Sequence, residues 1–355
     1  MYFDVERDHY YTFGIMEKSN GCKVCVTGGA GYIGSWLVKK LLDKGYTVHA
    51  TLRNLDDLCK VNLLKSFPGA ETRLVLLKAD MNKPDEFENA IQGCEFVFHV
   101  ATPLELNPGS QYKSTSEAAV ASARSIATSC ARSGTVKRLI YTASVFAASP
   151  LKDDGSGFKD FVDESCWSPL HLSIPYCNDF SKAYQDSKTE AEKEILRFGK
   201  ENGGELEVVT LAFGLVGGDT LLPYTPGSVA VVISQIKDNP IHYNFLKHLE
   251  ELLGKVPLIH IEDVCGALIF CVENPSIQGR VLSASSFVSS AEIATYFHQH
   301  YPHFHLKPEY LDGPKRQIEW ASTKLVENGF VYKYDLKAIL DDSVSCATRM
   351  GDLPN

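Results

Sequence analysis

The stretch Val24-Cys25-Val26-Thr27-Gly28-Gly29-Ala30-Gly31-Tyr32-Ile33-Gly34-Ser35-Trp36-Leu37 decides the fold. Residues 23–26 are short, β-branched and mostly apolar, which is typical of a buried parallel strand. Four glycines follow in two overlapping patterns, Gly29-x-Gly31-x-x-Gly34 and Gly28-x-x-Gly31-x-x-Gly34, and an amphipathic helix comes after them. Such glycines let the backbone turn, approach a pyrophosphate and pack a helix closely, while the helix N-terminus offers free N–H groups. We therefore predict a dinucleotide site that includes Gly28, Gly31, Tyr32, Ile33 and Gly34.

The end of the second predicted strand, over residues 46–52, indicates which dinucleotide binds. Enzymes that use NAD place an Asp or Glu there for the ribose 2′-hydroxyl. This chain has Arg53, whose guanidinium suits a 2′-phosphate. Lys60, on the next predicted helix, adds a second positive charge. We therefore predict NADP(H), with a solvated surface arginine as the alternative interpretation of Arg53.

Composition excludes several classes of function. The chain has 355 residues, of which 44% are hydrophobic and 22% charged, and a net charge of −9. The negative charge argues against binding to nucleic acid or to an anionic membrane surface. No apolar run is long enough to span a bilayer. The ten cysteines are scattered, and Cys22-x-x-Cys25 has no second pair at ligand spacing. We expect reduced cysteines in a cytoplasmic protein without a metal site.

Strand and helix patterns alternate from residue 21 onward. They predict an α/β fold, a Rossmann-type doubly wound parallel sheet with a smaller C-terminal substrate-binding lobe. We expect the NADP-binding domain over residues 21–215 and the lobe mainly over 216–355, with 257–275 returning to the first domain and residues 259–264 returning to its sheet. Residues 1–20 show no period and are expected to be a poorly ordered extension. Residues 319–329 and 334–349 are predicted to be closing helices.

Side chains at the ends of the central strands are further candidates for contact with the cofactor. In a parallel sheet the carboxyl ends of the strands hold the ligand. Asp80 and Met81 follow the third predicted strand, and Asp80 is expected near the adenine. Val100, Ala101 and Thr102 follow the fourth and are expected near the middle of the cofactor.

A serine, a tyrosine and a lysine have the spacing that carbonyl reduction requires. Ser144 ends the fifth predicted strand, while Tyr184 and Lys188 lie four residues apart on a later helix. A tyrosine hydroxyl can give its proton to a carbonyl oxygen, and a neighbouring ammonium stabilises the phenolate that remains. The serine hydroxyl would hold the same oxygen. Tyr243 and Lys247 share the four-residue spacing but have no companion serine strand.

We predict structural rather than catalytic or metal-binding roles for the histidines. His260 follows a predicted strand and is expected to be packed there, with a role as catalytic base as the alternative. A late cluster resembles metal ligands but has no acidic or cysteine companions, so surface positions are favoured; its members are His298, His300, His303 and His305.

These motifs resemble the plant extended short-chain reductases, a group that includes dihydroflavonol, anthocyanidin, vestitone, cinnamoyl-CoA and phenylacetaldehyde reductases. The resemblance runs from about Lys23 to the C-terminus and is carried by residues 26–37, 97–103, 136–144, 260–265 and 324–330. It implies that Arg53 and Lys60 contact the 2′-phosphate, and that Ser144, Tyr184 and Lys188 perform the chemistry. It also implies that the segment containing Ser228 reaches the cofactor.

Departures from the group leave the substrate open. Lys182-Ala183-Tyr184 lacks the cinnamoyl-CoA reductase signature, and Ala147-Ala148-Ser149 stands where dihydroflavonol reductases have an asparagine that recognises ring hydroxyls. We predict an NADPH-dependent reductase of a phenolic, flavonoid-type carbonyl, similar to anthocyanidin or dihydroflavonol reductase. Other aromatic aldehydes or ketones and a non-catalytic NADP(H)-binding protein are the alternatives, and Arg53 argues against a nucleotide-sugar epimerase. Monomer and homodimer both remain open.

Overall fold

A computed structural model describes residues 21–354, so the expected extension over residues 1–20 lies outside the described residues. The strands, in chain order, are β1 (Lys23–Thr27), β2 (Thr47–Leu52), β3 (Leu74–Lys78), β4 (Phe96–His99), β5 (Arg138–Ser144), β6 (Phe161–Val162), β7 (Glu207–Phe213), β8 (Leu215–Gly217), β9 (Val256–His260), β10 (Gly279–Ser283), β11 (Ser286–Val288) and β12 (Glu319–Trp320).

The α-helices, in chain order, are α1 (Tyr32–Asp43), α2 (Leu58–Lys65), α3 (Ala70–Arg73), α4 (Glu88–Ile91), α5 (Thr115–Arg132), α6 (Asp179–Glu201), α7 (Gly227–Val232), α8 (Pro240–Leu253), α9 (Ile261–Glu273), α10 (Ser290–His300), α11 (Lys324–Glu327) and α12 (Leu336–Arg349). Short 3₁₀ turns cover Pro84–Phe87, Val145–Ala147 and Pro308–Leu311. Between residues 21 and 354, no helix has both the length and the hydropathy needed to cross a membrane.

Seven parallel strands form the central sheet, in the order β10-β7-β5-β4-β1-β2-β3. The chain starts in the middle at β1, runs outward to β3, and then returns to β4 on the other side of β1. This reversal confirms the predicted doubly wound sheet and places a crevice beyond the ends of β1 and β4, where such folds hold ligands. The glycine turn borders this crevice.

Helices cover both faces of the sheet because its strands are apolar on both sides. On β1, Val24 and Val26 belong to one core, which also contains residues of α1 and α9. Cys25 points the other way, into a second core with residues of α5 and α6. This alternation explains why β1 reads as a continuous apolar run rather than as alternating polar and apolar positions.

A third core holds the smaller lobe together. It joins β8 and β9 with α7, α8, α10 and α12. Strands β8, β9 and β11 form a separate three-stranded sheet, so the expectation that residues 259–264 return to the central sheet is wrong for the strand. The following helix, α9, does contribute to the core beneath the central sheet. The seventh central strand is β10, which the sequence analysis did not predict because the strand has only two apolar side chains, Val281 and Leu282, after a buried arginine.

The expected closing helix over residues 319–329 is also wrong. Glu319 and Trp320 pair in parallel with Phe161 and Val162, so their backbone groups bond to another strand rather than along a helix. Only a single helical turn, α11, follows them. The second closing helix forms as α12, two residues shorter at its start than predicted.

Gly34→Ala should lower the free energy of unfolding by at least about 2 kcal/mol, because overpacking a close contact is costly. A β-carbon on Gly34 would lie 2.1 Å from the carbonyl oxygen of Gly28, a backbone atom that cannot move aside. Gly227→Ala is the matched control, since nothing lies within 4 Å of the added carbon. Urea unfolding followed by circular dichroism measures both, and equal effects would contradict the packing argument.

Candidate active site

The glycine turn leaves space for a ligand at Gly31. Gly28 has a left-handed φ of +69°, and Gly34 packs against Gly28, so contacts within the chain explain these two. At Gly31 a β-carbon would meet only the Gly28 carbonyl oxygen, at an ordinary 3.4 Å. The chain itself therefore does not require glycine at Gly31, whereas close approach by a pyrophosphate does. Tyr32 and Ile33 begin α1, so their N–H groups have no partner within the helix.

The hydroxyl of Thr27 fixes the loop that follows β4 against this turn. Its oxygen accepts hydrogen bonds from the N–H groups of Val100 and Ala101, each 3.0 Å long. Its own proton must therefore go to Nδ1 of His99, also at 3.0 Å. Burial, with a smaller contribution from the charge of Lys188, lowers the pKa of His99 to about 3, which keeps the ring neutral and able to accept. Pattern reading included neither Thr27 nor His99.

At the end of β2, Arg53 is exposed, and we find no hydrogen bond or ion pair of its guanidinium within residues 21–354. Thr51 ties this strand end to the turn by accepting a hydrogen bond from the Gly28 N–H at 3.2 Å. Lys60 differs, because its ammonium lies 2.9 Å from the carboxylate of Asp57, the N-cap of α2. Arg53 is thus the more available cation for a phosphate.

The Asp80 carboxylate, beyond β3, is already partly engaged. It accepts hydrogen bonds from Asn82 and from Asn107. Burial raises the pKa of Asp80, but these bonds and the charge of Arg53 outweigh it and lower the pKa overall. Met81 is buried and faces the core rather than the crevice. Ser228 lies in the first turn of α7 and is half-buried.

The ammonium of Lys188 joins three elements. It donates to the hydroxyl of Thr102 at 2.8 Å and to the carbonyl oxygen of Thr142 at 2.9 Å, so it links α6 to β5 and to the loop after β4. Burial lowers its pKa to about 8, and the negative charge of Glu192 on the same helix partly offsets that effect. The Lys188 nitrogen lies 6.0 Å from the centroid of the Tyr184 ring.

Tyr184 and Ser144 meet beside this lysine. Burial raises the pKa of the Tyr184 phenol, and a hydrogen bond with the Ser144 side chain lowers it in part. Ser144 ends β5, and its hydroxyl oxygen accepts the Phe146 N–H at 3.3 Å, which begins the 3₁₀ turn. The structure thus brings together a hydroxyl, a phenol and an ammonium at the carboxyl edge of the sheet.

Comparison with known proteins identifies the family. Residues 25–220 match the sequence model of the 3-beta hydroxysteroid dehydrogenase/isomerase family. The chain belongs to this family. It is 35% identical over 329 residues to a putative anthocyanidin reductase of Ginkgo biloba, a match that covers 92% of this chain and 95% of the relative. It is 34% identical to dihydroflavonol 4-reductase of Callistephus chinensis, a match that covers 96% of this chain and 90% of the relative.

Solved structures agree with this assignment. Vestitone reductase from alfalfa superposes with a TM-score of 0.75 at 33% identity, covering 93% of this chain and 99% of that protein. The NADPH complex of yeast methylglyoxal/isovaleraldehyde reductase Gre2 superposes with a TM-score of 0.72 at 20% identity, and the match covers 93% of this chain and 100% of that protein. At this identity the match supports the fold alone. The predicted resemblance to extended short-chain reductases is therefore confirmed, and this member of the family is an oxidoreductase.

Aromatic rings form a wall beside the phenol of this reductase. Phe146 meets Tyr184 edge to face, with ring centroids 5.4 Å apart. Phe245, on α8, lies 5.1 Å from Phe146 and 6.4 Å from Tyr184. The exposed Phe180 extends the wall toward solvent, 6.4 Å from Phe245. We call Phe146, Phe180 and Phe245 the aromatic wall. It suits a flat, apolar ring system.

Behind the site, a buried ion pair supports the turn after Ser144. Arg280 donates through Nε to Glu192 at 3.0 Å and through a terminal nitrogen to the carbonyl oxygen of Ala147, also at 3.0 Å. Its guanidinium carbon lies 3.6 Å from the centroid of Trp167. The pair therefore connects β10, α6 and the 3₁₀ turn. Sequence reasoning missed it because its two partners are 88 residues apart.

The alternative candidates are engaged elsewhere. Lys247 forms a buried ion pair with Glu250, and Tyr243 packs against Tyr310 with the two rings tilted by 42°. His260 caps α9 by accepting the Glu262 N–H, and its other ring nitrogen contacts Asp342. The part of the chain that the structure describes contains no group of three or more His, Cys, Asp or Glu side chains that could hold a metal ion.

Thr27→Val should destabilise the reductase by about 2 kcal/mol, because two part-buried N–H groups lose their acceptor, and such a loss costs about 1–3 kcal/mol for each group that water does not reach. Thr27→Ser keeps the hydroxyl and should cost far less. The free energies of unfolding in urea measure the difference. A serine variant as unstable as the valine variant would show that the methyl group, and not the hydroxyl, matters at this position.

Proposed function

We propose that this reductase transfers hydride from NADPH to a carbonyl group of a flavonoid-type phenolic plant metabolite. The observation that carries the proposal is the meeting of Ser144, Tyr184 and Lys188 beside the aromatic wall. The relatives named for reduction of anthocyanidins and dihydroflavonols support the same class of substrate.

Three side chains have separate roles in the proposed reaction. Bound NADPH supplies the hydride. The Tyr184 hydroxyl gives its proton to the carbonyl oxygen, and the Ser144 hydroxyl holds that oxygen in place. The Lys188 ammonium stabilises the phenolate that Tyr184 becomes. Thr102 and Thr142 hold the ammonium, so it does not need to be ordered when substrate arrives.

The residues around the crevice fit NADP(H). The backbone at Gly31 is open to a pyrophosphate, and Arg53, whose guanidinium has no ion pair among residues 21–354, suits a 2′-phosphate. We propose that Gly28, Gly31, Tyr32, Ile33, Gly34, Asp80, Met81, Val100, Ala101, Thr102, Tyr184, Lys188 and Ser228 complete the cofactor site, with Lys60 as a secondary phosphate contact. Met81 would contribute through its backbone, because its side chain is buried in the core.

We also propose different roles for the two parts of the chain. Residues 21–215 would carry the cofactor, and residues 216–355 would mainly shape the substrate site, with 257–275 supporting the first domain. We propose a cytoplasmic location, which the ten free cysteines support. The second candidate is a non-catalytic NADP(H)-binding protein. NADPH binding without turnover of any of the compounds tested would favour it.

Tyr184→Phe should reduce NADPH oxidation by about 10²–10⁴-fold, the usual contribution of a positioned acid. The assay follows absorbance at 340 nm with a dihydroflavonol, an anthocyanidin, an isoflavanone and an aromatic aldehyde. Affinity for NADPH should stay within a few fold, which separates loss of chemistry from loss of fold. Turnover by the phenylalanine variant at the wild-type rate would contradict the assignment.

Arg53→Ala should raise the KM for NADPH by about 10–100-fold, the value of a hydrogen bond to a charged group. The KM for NADH should change little, because NADH lacks the 2′-phosphate. Lys60→Ala is the control and should have the smaller effect, since Asp57 already holds its ammonium. Equal effects of Arg53→Ala on both cofactors would show that Arg53 does not contact the phosphate.

The rate should decline above about pH 8, because reduction requires a charged Lys188 and burial lowers its pKa to about 8. The titratable groups that face it are Tyr184 and Glu192 on α6, Tyr141 on β5 and His99 on β4.

Glu192→Gln tests whether the charge of Lys188 causes the alkaline decline in rate, because it removes a negative charge that raises the pKa of Lys188. The alkaline decline of kcat/KM should move to lower pH. Glu190→Gln makes the same change of charge at an exposed position of α6 and should leave the profile unchanged. An identical profile for both variants would contradict the role of Glu192.

A further inference from the structure

A second tyrosine ring lies against the ammonium of Lys188. Tyr141 is on β5, one residue before Thr142, and is 3% exposed. The Lys188 nitrogen lies over the face of this ring, 5.4 Å from its centroid. This is closer than the same nitrogen lies to the ring of Tyr184, at 6.0 Å. An ammonium within about 6 Å of a ring centroid is attracted to the negative face of the ring.

Charged groups do little to compensate this buried ammonium. Its two hydrogen-bond acceptors, the Thr102 hydroxyl and the Thr142 carbonyl oxygen, are both neutral. The carboxylate of Glu192 raises the pKa of Lys188, but it is itself paired with Arg280 at 3.0 Å. Because a buried charge without a direct counter-ion is costly, any neutral group that favours the charge gains importance.

Tyr141 is such a neutral group. Burial, with smaller contributions from the negative charges of Glu192 and Tyr184, raises the pKa of Tyr141, so its phenol keeps its proton. The ring of His99 lies beside it, with centroids 5.2 Å apart. His99 is also neutral, because burial lowers its pKa to about 3, and it adds no positive charge that would oppose the ammonium. What Tyr141 offers Lys188 is therefore the negative face of its ring.

We propose that Tyr141 is a positioning residue of the reduction: it acts through Lys188, whose ammonium it holds in the charged state that accompanies the phenolate of Tyr184. Its part in the reaction rests on the proposed function, whereas its contact with Lys188 does not. The titratable groups that face Lys188 are Tyr184 and Glu192 on α6, Tyr141 on β5 and His99 on β4.

Replacing the ring by an aliphatic side chain separates this role from simple packing. Tyr141→Leu keeps an apolar neighbour but removes the ring face, so the pKa of Lys188 should fall by about one unit, the size of a desolvated cation–π contact. A packing defect that admits water would have the opposite sign, because hydration favours the ammonium. Tyr141→Phe retains the ring and should leave the pKa of Lys188 near its wild-type value.

An NMR titration measures these pKa values without requiring turnover. The enzyme is labelled with ¹³C at the ε-carbons of its lysines, and Lys188 is identified by the signal that Lys188→Met removes. The wild-type signal should titrate at about 8. Tyr141→Met repeats the test with a longer apolar chain in case Tyr141→Leu does not fold. Phe87→Leu removes another buried ring from the same core and is the control, which should leave the pKa unchanged.

The alkaline decline of kcat/KM for NADPH oxidation with a dihydroflavonol supplies the second readout. It should move to lower pH by the same amount in the leucine and methionine variants and stay in place in Tyr141→Phe. An unchanged or raised pKa of Lys188 in both aliphatic variants would overturn the proposal, as would a phenylalanine variant that behaves like them. A lowered pKa with an unchanged rate profile would overturn the role in reduction. If the pKa moves as expected but wild type oxidises no NADPH with any compound of the panel, the contact with Lys188 stands and the proposed function fails.

Discussion

The arrangement of the site depends on one buried ammonium. Lys188 has little access to water, so its charge must be satisfied by groups that the fold supplies. Thr102 and Thr142 supply them from two different strand ends, and Glu192 adds a negative charge about one helical turn away on α6. Moving any of these elements would leave a buried charge unpaired, at a cost far above that of one lost hydrogen bond. The ammonium therefore fixes α6, and with it Tyr184, against the sheet.

Two further connections support the same edge. Thr27 holds the loop after β4 against the glycine turn, beside the proposed cofactor groove. Arg280 holds the turn after Ser144 through the carbonyl oxygen of Ala147. The first connection serves the proposed cofactor side and the second the substrate side. Lys188 lies between them, so positioning is shared among three strand ends rather than depending on a flexible loop.

The features that could be predicted from the sequence are those that depend on residues close together in the chain. The strand–turn–helix around Gly28 and the four-residue spacing of Tyr184 and Lys188 were sufficient to anticipate the doubly wound sheet and the meeting of these groups. Contacts between distant residues left no such signal. Thr27 and His99 are 72 residues apart, and β10 has only two consecutive apolar residues, which follow a buried arginine. Strand β9 was assigned to the wrong sheet because a short apolar segment does not reveal its partner.

The central claim is that these groups direct hydride to a carbonyl carbon. NADPH deuterated at the transferred position of the nicotinamide, incubated with the enzyme and a dihydroflavonol, tests it most directly. The account predicts that NMR of the product shows deuterium at the former carbonyl carbon, and that Tyr184→Phe shows almost none. Tight NADPH binding without transfer of deuterium to any compound of the aromatic panel would contradict the account and leave a protein that binds the cofactor without reducing a carbonyl.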